Sequence, residues 1–436
     1  MYTAYIGRRA IDLYNEHMRE GSSLAPKDFF DEVIFPIFFD DARYLFWPMN
    51  SPFAQPKYSG SRDDPDVREE ARVETHQKVG AIERPVGHLV IGGIADGPME
   101  TTSGQVSAVG ATADAEDAYC SWIGALCGLG VSGGLSMLID HDGILLSLLE
   151  GWSQYRRYLD QTPSLKGNQI ETWNGQWIAH RFSPDYNATD PLRDFDPHTT
   201  KTTGISTKDW AQVLFSLARE LPDEQLTVYV YSLGQTNTTI GFRKLLLPEV
   251  QYLAGLCEKL FGSVEGVTSR RLADVFDPQY SIYQACEQGA IGLKALRPDK
   301  LRDYMPGGAS SKMPNTTRSE NKFTRYLIFQ TWIIAMLNNE DLITTTEDLA
   351  EALREVATSD TKGRTTNKRK AEQVLEASHR RAFLESLSKI VESNGTHADL
   401  INEIADEVVK MPSSDFPLFA TLLRLKFHVF SQQKSI

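Results

Sequence analysis

The sequence predicts an α+β protein: an irregular mixed N-terminal body over residues 1–297, a linker over 298–321 and an all-helical bundle over 322–436. Three features carry that prediction. Residues 226–232, LTVYVYS, alternate in the β-branched and aromatic manner of a half-buried strand. Pro298, Pro306, Pro314 and the pair Gly307-Gly308 break every periodicity between 298 and 316. Beyond them, residues 321–338, 346–357, 368–392, 397–410 and 416–430 all space apolar side chains at three and four, as helices do.

The elements follow in order. Residues 2–20 place Ile6, Ala10, Leu13 and Tyr14 on one helical face, and Asp28-Phe29-Phe30 open a second helix after Pro26. Residues 35–50 are rich in aromatics and punctuated by Pro36 and Pro48, and 50–66 read as a mobile loop of prolines, glycines and serines. An apolar run at 86–94 predicts a strand, followed by a small-residue region to Gly110, and 180–182 predict another short strand. In the helical end, Thr346-Glu347 and Thr396 to Asp399 offer N-cap chemistry, and Gly395, Pro412 and Pro417 mark boundaries. Leu375, Phe383, Leu387, Ile390, Ile401, Ile404 and Val408 form the apolar stripe of that bundle.

Composition bounds the function. With 436 residues and 41% hydrophobic content, the chain is long enough for two or three cores. No apolar run has the length of a membrane span, and the N-terminus lacks the apolar core and cleavage site of a secretory signal, so a cytoplasmic protein without membrane contact is expected. Cys120, Cys127, Cys257 and Cys286 have no CxxC spacing and read as buried thiols. The net charge of −13 is unevenly spread: residues 295–436 carry twenty Lys and Arg against nineteen Asp and Glu, which leaves −14 for 1–294. Two basic clusters punctuate the near-neutral end. One holds Lys362, Arg364, Lys368, Arg369, Lys370, Arg380 and Arg381; the other holds Arg297, Lys300, Arg302, Lys312, Arg318, Lys322 and Arg325. Either forms a phosphate track or a solvated helix face.

Two polar segments are candidate recognition loops. Residues 166–177, KGNQIETWNGQW, put Lys166, Asn168, Gln169, Asn174 and Gln176 beside Trp173, amides that suit base edges and an indole that suits stacking. The same segment also reads as a turn at Gly167 and Gly175, with amides capping backbone groups and tryptophans packed inward. Residues 234–239 read as a polar turn, in which Gln235 and Asn237 precede Arg243 and Lys244.

Three motifs mimic catalysis. Gly128-Leu129-Gly130-Val131-Ser132-Gly133 matches GxGxxG, but the segment before it looks helical rather than extended, which favours close packing over a dinucleotide site. Asp140-His141-Asp142 could ligate a divalent ion, or simply turn the chain at Asp142-Gly143. Cys120 and Cys127 lack a nucleophile context. No catalytic residue, metal ligand or cofactor is therefore assigned.

A mixed body with polar loops, followed by a helical bundle with basic faces, resembles the large subunit of type I CRISPR Cascade surveillance complexes. The resemblance covers most of the chain in layout and rests on no diagnostic motif. It implies a noncatalytic subunit whose partners are guide RNA, a double-stranded DNA target and the other Cascade subunits. On that reading Asn168, Gln169, Asn174 and Gln176 test minor-groove edges, Trp173 helps unstack the duplex, and Lys362, Lys368, Arg369, Arg380 and Arg381 follow a strand by charge. The acidic body departs from the pattern. The alternatives are a metal-dependent phosphohydrolase or nuclease at Asp140-His141-Asp142, or a protein-docking scaffold without nucleic acid.

Overall fold

A computed structural model describes residues 1–46, 51–81, 113–197, 204–233, 235–262, 282–298, 300–307, 320–359, 364–393 and 397–433. The strand expected at 86–94 lies outside them. The fold is α+β with a helical C-terminal part. Its contacts separate two compact units, Met1–Pro248 with Ser281–Ile291, and Glu249–Tyr280 with Gly292–Ile436.

The first unit opens with α1 (Tyr2–His17). Next, α2 (Pro26–Phe29) runs through a π-helical turn, Phe30–Ile34, into α3 (Phe35–Phe38). The segment expected as a mobile loop is instead ordered by its prolines. Pro52–Ala54 form a 3₁₀ turn, Pro56 starts α4 (Pro56–Ser59), and Pro65 starts α5 (Pro65–Gly80) behind the Asp64 cap. Phe53 pins it by stacking on Phe39, with ring centroids 4.0 Å apart.

Next comes α6 (Ala115–Leu126), begun by a reciprocal capping box between Asp114 and Asp117. It crosses α1 at backbone contact: a Cβ on Gly7 would lie 1.8 Å from the Cys120 carbonyl oxygen, and one on Gly124 would lie 1.8 Å from that of Thr3. Strands β1 (Leu129–Val131) and β2 (Leu135–Ile139) make a hairpin, and α7 (Asp142–Gln161) and α8 (Ile170–Arg181) follow. After α9 (Trp210–Glu220), β3 (Gln225–Ser232) and β4 (Gln235–Leu246) extend the sheet. The strand read at 226–232 is thus β3. Residues 180–182, expected extended, close α8 instead, and 235–239, expected as a turn, already belong to β4. Sheet order is β1-β2-β3-β4-β5, all antiparallel except the parallel pairing of β4 with β5 (Ala290–Ile291).

The second unit takes most of α10 (Leu247–Phe261); α11 (Ile282–Glu287), which precedes β5, belongs to the first. Of residues 298–321, expected as a linker, the described stretch 300–307 contains α12 (Leu301–Tyr304), which anchors a fully buried Leu301. Among the described residues six helices complete the unit: α13 (Glu320–Leu337), α14 (Leu342–Thr358), α15 (Arg364–Leu375), α16 (Arg380–Ser393), α17 (Ala398–Lys410) and α18 (Phe416–Gln433). Phe383, Leu387, Ile390, Ile401, Ile404 and Val408 of the expected stripe are buried, and Leu375 is half-buried. Thr346, expected near a cap, is instead buried inside α14, its hydroxyl donating to the Leu342 carbonyl. Trp332 ties the unit together by donating its indole N–H to the Leu293 carbonyl at 3.0 Å.

Candidate nucleic-acid interface

Most of residues 166–177 are helix rather than loop. From Ile170 they form α8, and Thr172 through Ile178 are buried one after another. The indole of Trp173 stacks on Tyr155 at 4.6 Å and donates to the Gly151 carbonyl of α7 at 3.0 Å; Trp177 donates to Ser147 at 2.8 Å. Asn174 gives its two amide hydrogens to the carbonyls of Leu126 and Gly128, at 2.7 and 2.9 Å, where the chain leaves α6 for β1. Gln176 donates to Ser206 at 2.7 Å, and Gln169 accepts from the Ile205 N–H at 2.6 Å. Buried side chains with committed donors do not reach a base edge in this conformation. Lys166 and Asn168 stay exposed, the latter at φ 62°, where its N–H donates to the Tyr44 carbonyl.

In the second polar segment, the side chains of Gln235 and Asn237 lie outside the described residues. Arg243 turns inward, donating to the Cys286 carbonyl at 2.5 Å, whereas Lys244 is exposed.

The C-terminal basic cluster divides. Lys362 lies outside the described residues, as does the Arg364 side chain. Arg380 is committed to the fold: its guanidinium donates to the carbonyls of Val409 and Met411, at 3.2 and 2.6 Å, and so caps the end of α17. Lys368 and Arg381 stand out in solvent, with side-chain exposures of 68% and 86% and single glutamate partners one turn on, Glu372 and Glu385. Arg369 is exposed and Lys370 half-buried. Of the other cluster, Arg297 donates to the Met305 sulfur, and Lys312 and Arg318 lie outside the described residues.

The motifs that mimic catalysis are occupied by structural contacts. Asp140 accepts from the Tyr5 hydroxyl at 2.6 Å, and Asp142 pairs with Arg9 at 2.5 Å. His141 caps α7 through the Ile144 N–H and faces Glu224 at 3.2 Å. Among the described residues, no three His, Cys, Asp or Glu side chains are grouped to hold a metal ion. The GxGxxG glycines serve close packing: Gly128 meets Tyr231, Ser136 and Glu171, and Gly130 meets the Glu171 backbone. All four cysteines are buried thiols, and burial pushes those of Cys120 and Cys127 up to about 12.

One surface feature joins aromatic residues far apart in the sequence. Tyr2 of α1 meets Tyr229 of β3 and Phe242 of β4, at 5.3 and 5.0 Å, and Tyr5 packs against Tyr2. Its sequence signal is faint, because the four residues come from three elements whose register only the fold sets. No helix among the described residues is long and apolar enough to cross a membrane. No family model matches the chain, and no curated protein or solved structure matches it.

Proposed function

We propose that this chain is a noncatalytic nucleic-acid-binding subunit, working as the large subunit of an RNA-guided DNA surveillance complex of the CRISPR Cascade type in the cytoplasm. The observation that carries the reading is the inverted charge of two successive helices. Helix macrodipoles favour carboxylates at the N-terminus and cations at the C-terminus. Here α15 bears Arg364, Lys368, Arg369 and Lys370 in its first seven residues and α16 begins Arg380-Arg381, with no acid in either first turn and no base in either last turn. By contrast α17 follows the ordinary polarity, with Asp399 early and Lys410 late. Of these cations, Lys368, Arg369 and Arg381 stand exposed where the helix disfavours them and so suit an external anion, whereas Arg380 is taken by the carbonyls that close α17; helix N-termini also present N–H groups to phosphate. The surface glutamate partners of Lys368 and Arg381 contribute little and exchange readily for phosphodiesters.

The test is to purify the full chain through a tag from cells that also express its neighbouring genes, and to analyse bound RNA and companion proteins. Discrete guide-sized RNA with repeating subunits supports the reading; a lone RNA-free protein sinks it. In the purified assembly, Lys368→Glu with Arg381→Glu should lower the salt slope of DNA binding by about two, roughly one for each phosphate no longer neutralised.

A further inference from the structure

Beyond the helical unit, the sheet carries an aromatic face that α1 covers only in part. Antiparallel register sets Tyr229 opposite Phe242 and Thr227 opposite Lys244, so these four side chains share one face. Tyr229 and Phe242 lie 5.1 Å apart, Tyr2 packs against both, and Tyr5 lies nearly parallel to Tyr2 at 5.8 Å. Phe242 is 53% exposed and Tyr5 49%. Isolated apolar residues on a surface need no explanation, but a contiguous ring cluster drawn from α1, β3 and β4 marks a contact site.

We propose that this face binds single-stranded nucleic acid, stacking bases on Phe242 and Tyr5 and leading the sugar–phosphate backbone past Lys244. Exposed rings on an antiparallel sheet offer π-faces that any unstacked base fits, whereas a duplex keeps its bases inside. Lys244 lies two residues along the strand from Phe242, about 6.8 Å, a spacing that suits ring and phosphate contacts to successive parts of one extended strand. The surrounding charge separates this site from the basic helices. Arg9 is paired with Asp142, and Asp140 holds the Tyr5 hydroxyl, so among the described residues of this face Lys244 is the cation left to meet a phosphate. Stacking therefore carries the binding, and its salt slope is shallow. The contact stands independently of the proposal for α15 and α16.

The experiment uses the full chain and fluorescein-labelled oligothymidylate, followed by anisotropy at low and high salt, with the same strand annealed to oligoadenylate as competitor. Wild type should retain single-strand binding at high salt and prefer it to duplex. Phe242→Ala and Tyr5→Ala remove exposed rings and should each weaken that salt-resistant binding about tenfold, while Phe242→Trp restores it. Lys368→Glu with Arg381→Glu should leave it unchanged, so the two proposals fail separately. Wild-type affinity in both ring-to-alanine variants overturns the assignment, as does equal competition by duplex. Absence of oligonucleotide binding overturns it too, as does a self-association that Phe242→Ala abolishes, since the face would then be a protein contact.

Discussion

Asn174 shows how a residue type suited to recognition is consumed by folding. A carboxamide in a glycine-flanked stretch has the donors to read a base, but here they hold two carbonyls at the junction of α6 and β1, where the backbone has left helix geometry and β1 has only begun. Removing the amide would strand two buried acceptors, so Asn174→Ala should cost about 2–3 kcal/mol. Urea unfolding of the variant checks this; a loss under about 0.5 kcal/mol would mean that water satisfies those carbonyls. Lys368 and Arg381 are the reverse case, surface charges whose exposure leaves them available, while Arg380, adjacent in sequence to Arg381, is spent on capping α17.

Among the elements, α8 leaves no periodic mark on the sequence. Its residues are buried on consecutive positions rather than on one stripe, so no 3.6-residue hydrophobic period exists to mark a helix, and Gly175 adds a breaker. That glycine is needed because a Cβ there would come within 2.3 Å of the Gly130 carbonyl oxygen. The amphipathic C-terminal helices, with one wet face each, were legible by contrast. The crossing of α1 and α6 makes an element-scale prediction: Gly7→Ala sets a methyl group against helix backbone that cannot yield as a side-chain tip does. The expected cost is about 3 kcal/mol, seen as a fall in Tm of about 10 °C for a unit of this size. Gly255→Ala in α10 meets nothing within 4 Å and serves as the control, with unchanged or higher stability.

For the whole molecule, the division into two compact units sets the expected unfolding behaviour. Of the seven tryptophans, only Trp332 belongs to the second unit, so indole fluorescence reports chiefly on the first, whereas helical circular dichroism reports on both. If each unit unfolds on its own core, the two probes give urea curves with different midpoints; superimposable curves would show one cooperative transition. The two nucleic-acid contacts proposed lie in different units and are distinguished by physics as well as place: phosphate charge with a steep salt slope on α15 and α16, base stacking with a shallow one on β3 and β4.

The sequence alone determined the α+β class, the strand at 226–232, the helical C-terminal part and the buried thiols, because period, turn chemistry and composition are local properties. Only the tertiary structure decided that Thr172–Ile178 are core, that prolines order 51–66, and that Tyr2 packs on Tyr229 and Phe242. Burial on all sides erases periodicity, and the packing of α1 on the sheet brings together residues more than two hundred positions apart, neither of which leaves a local mark on the chain.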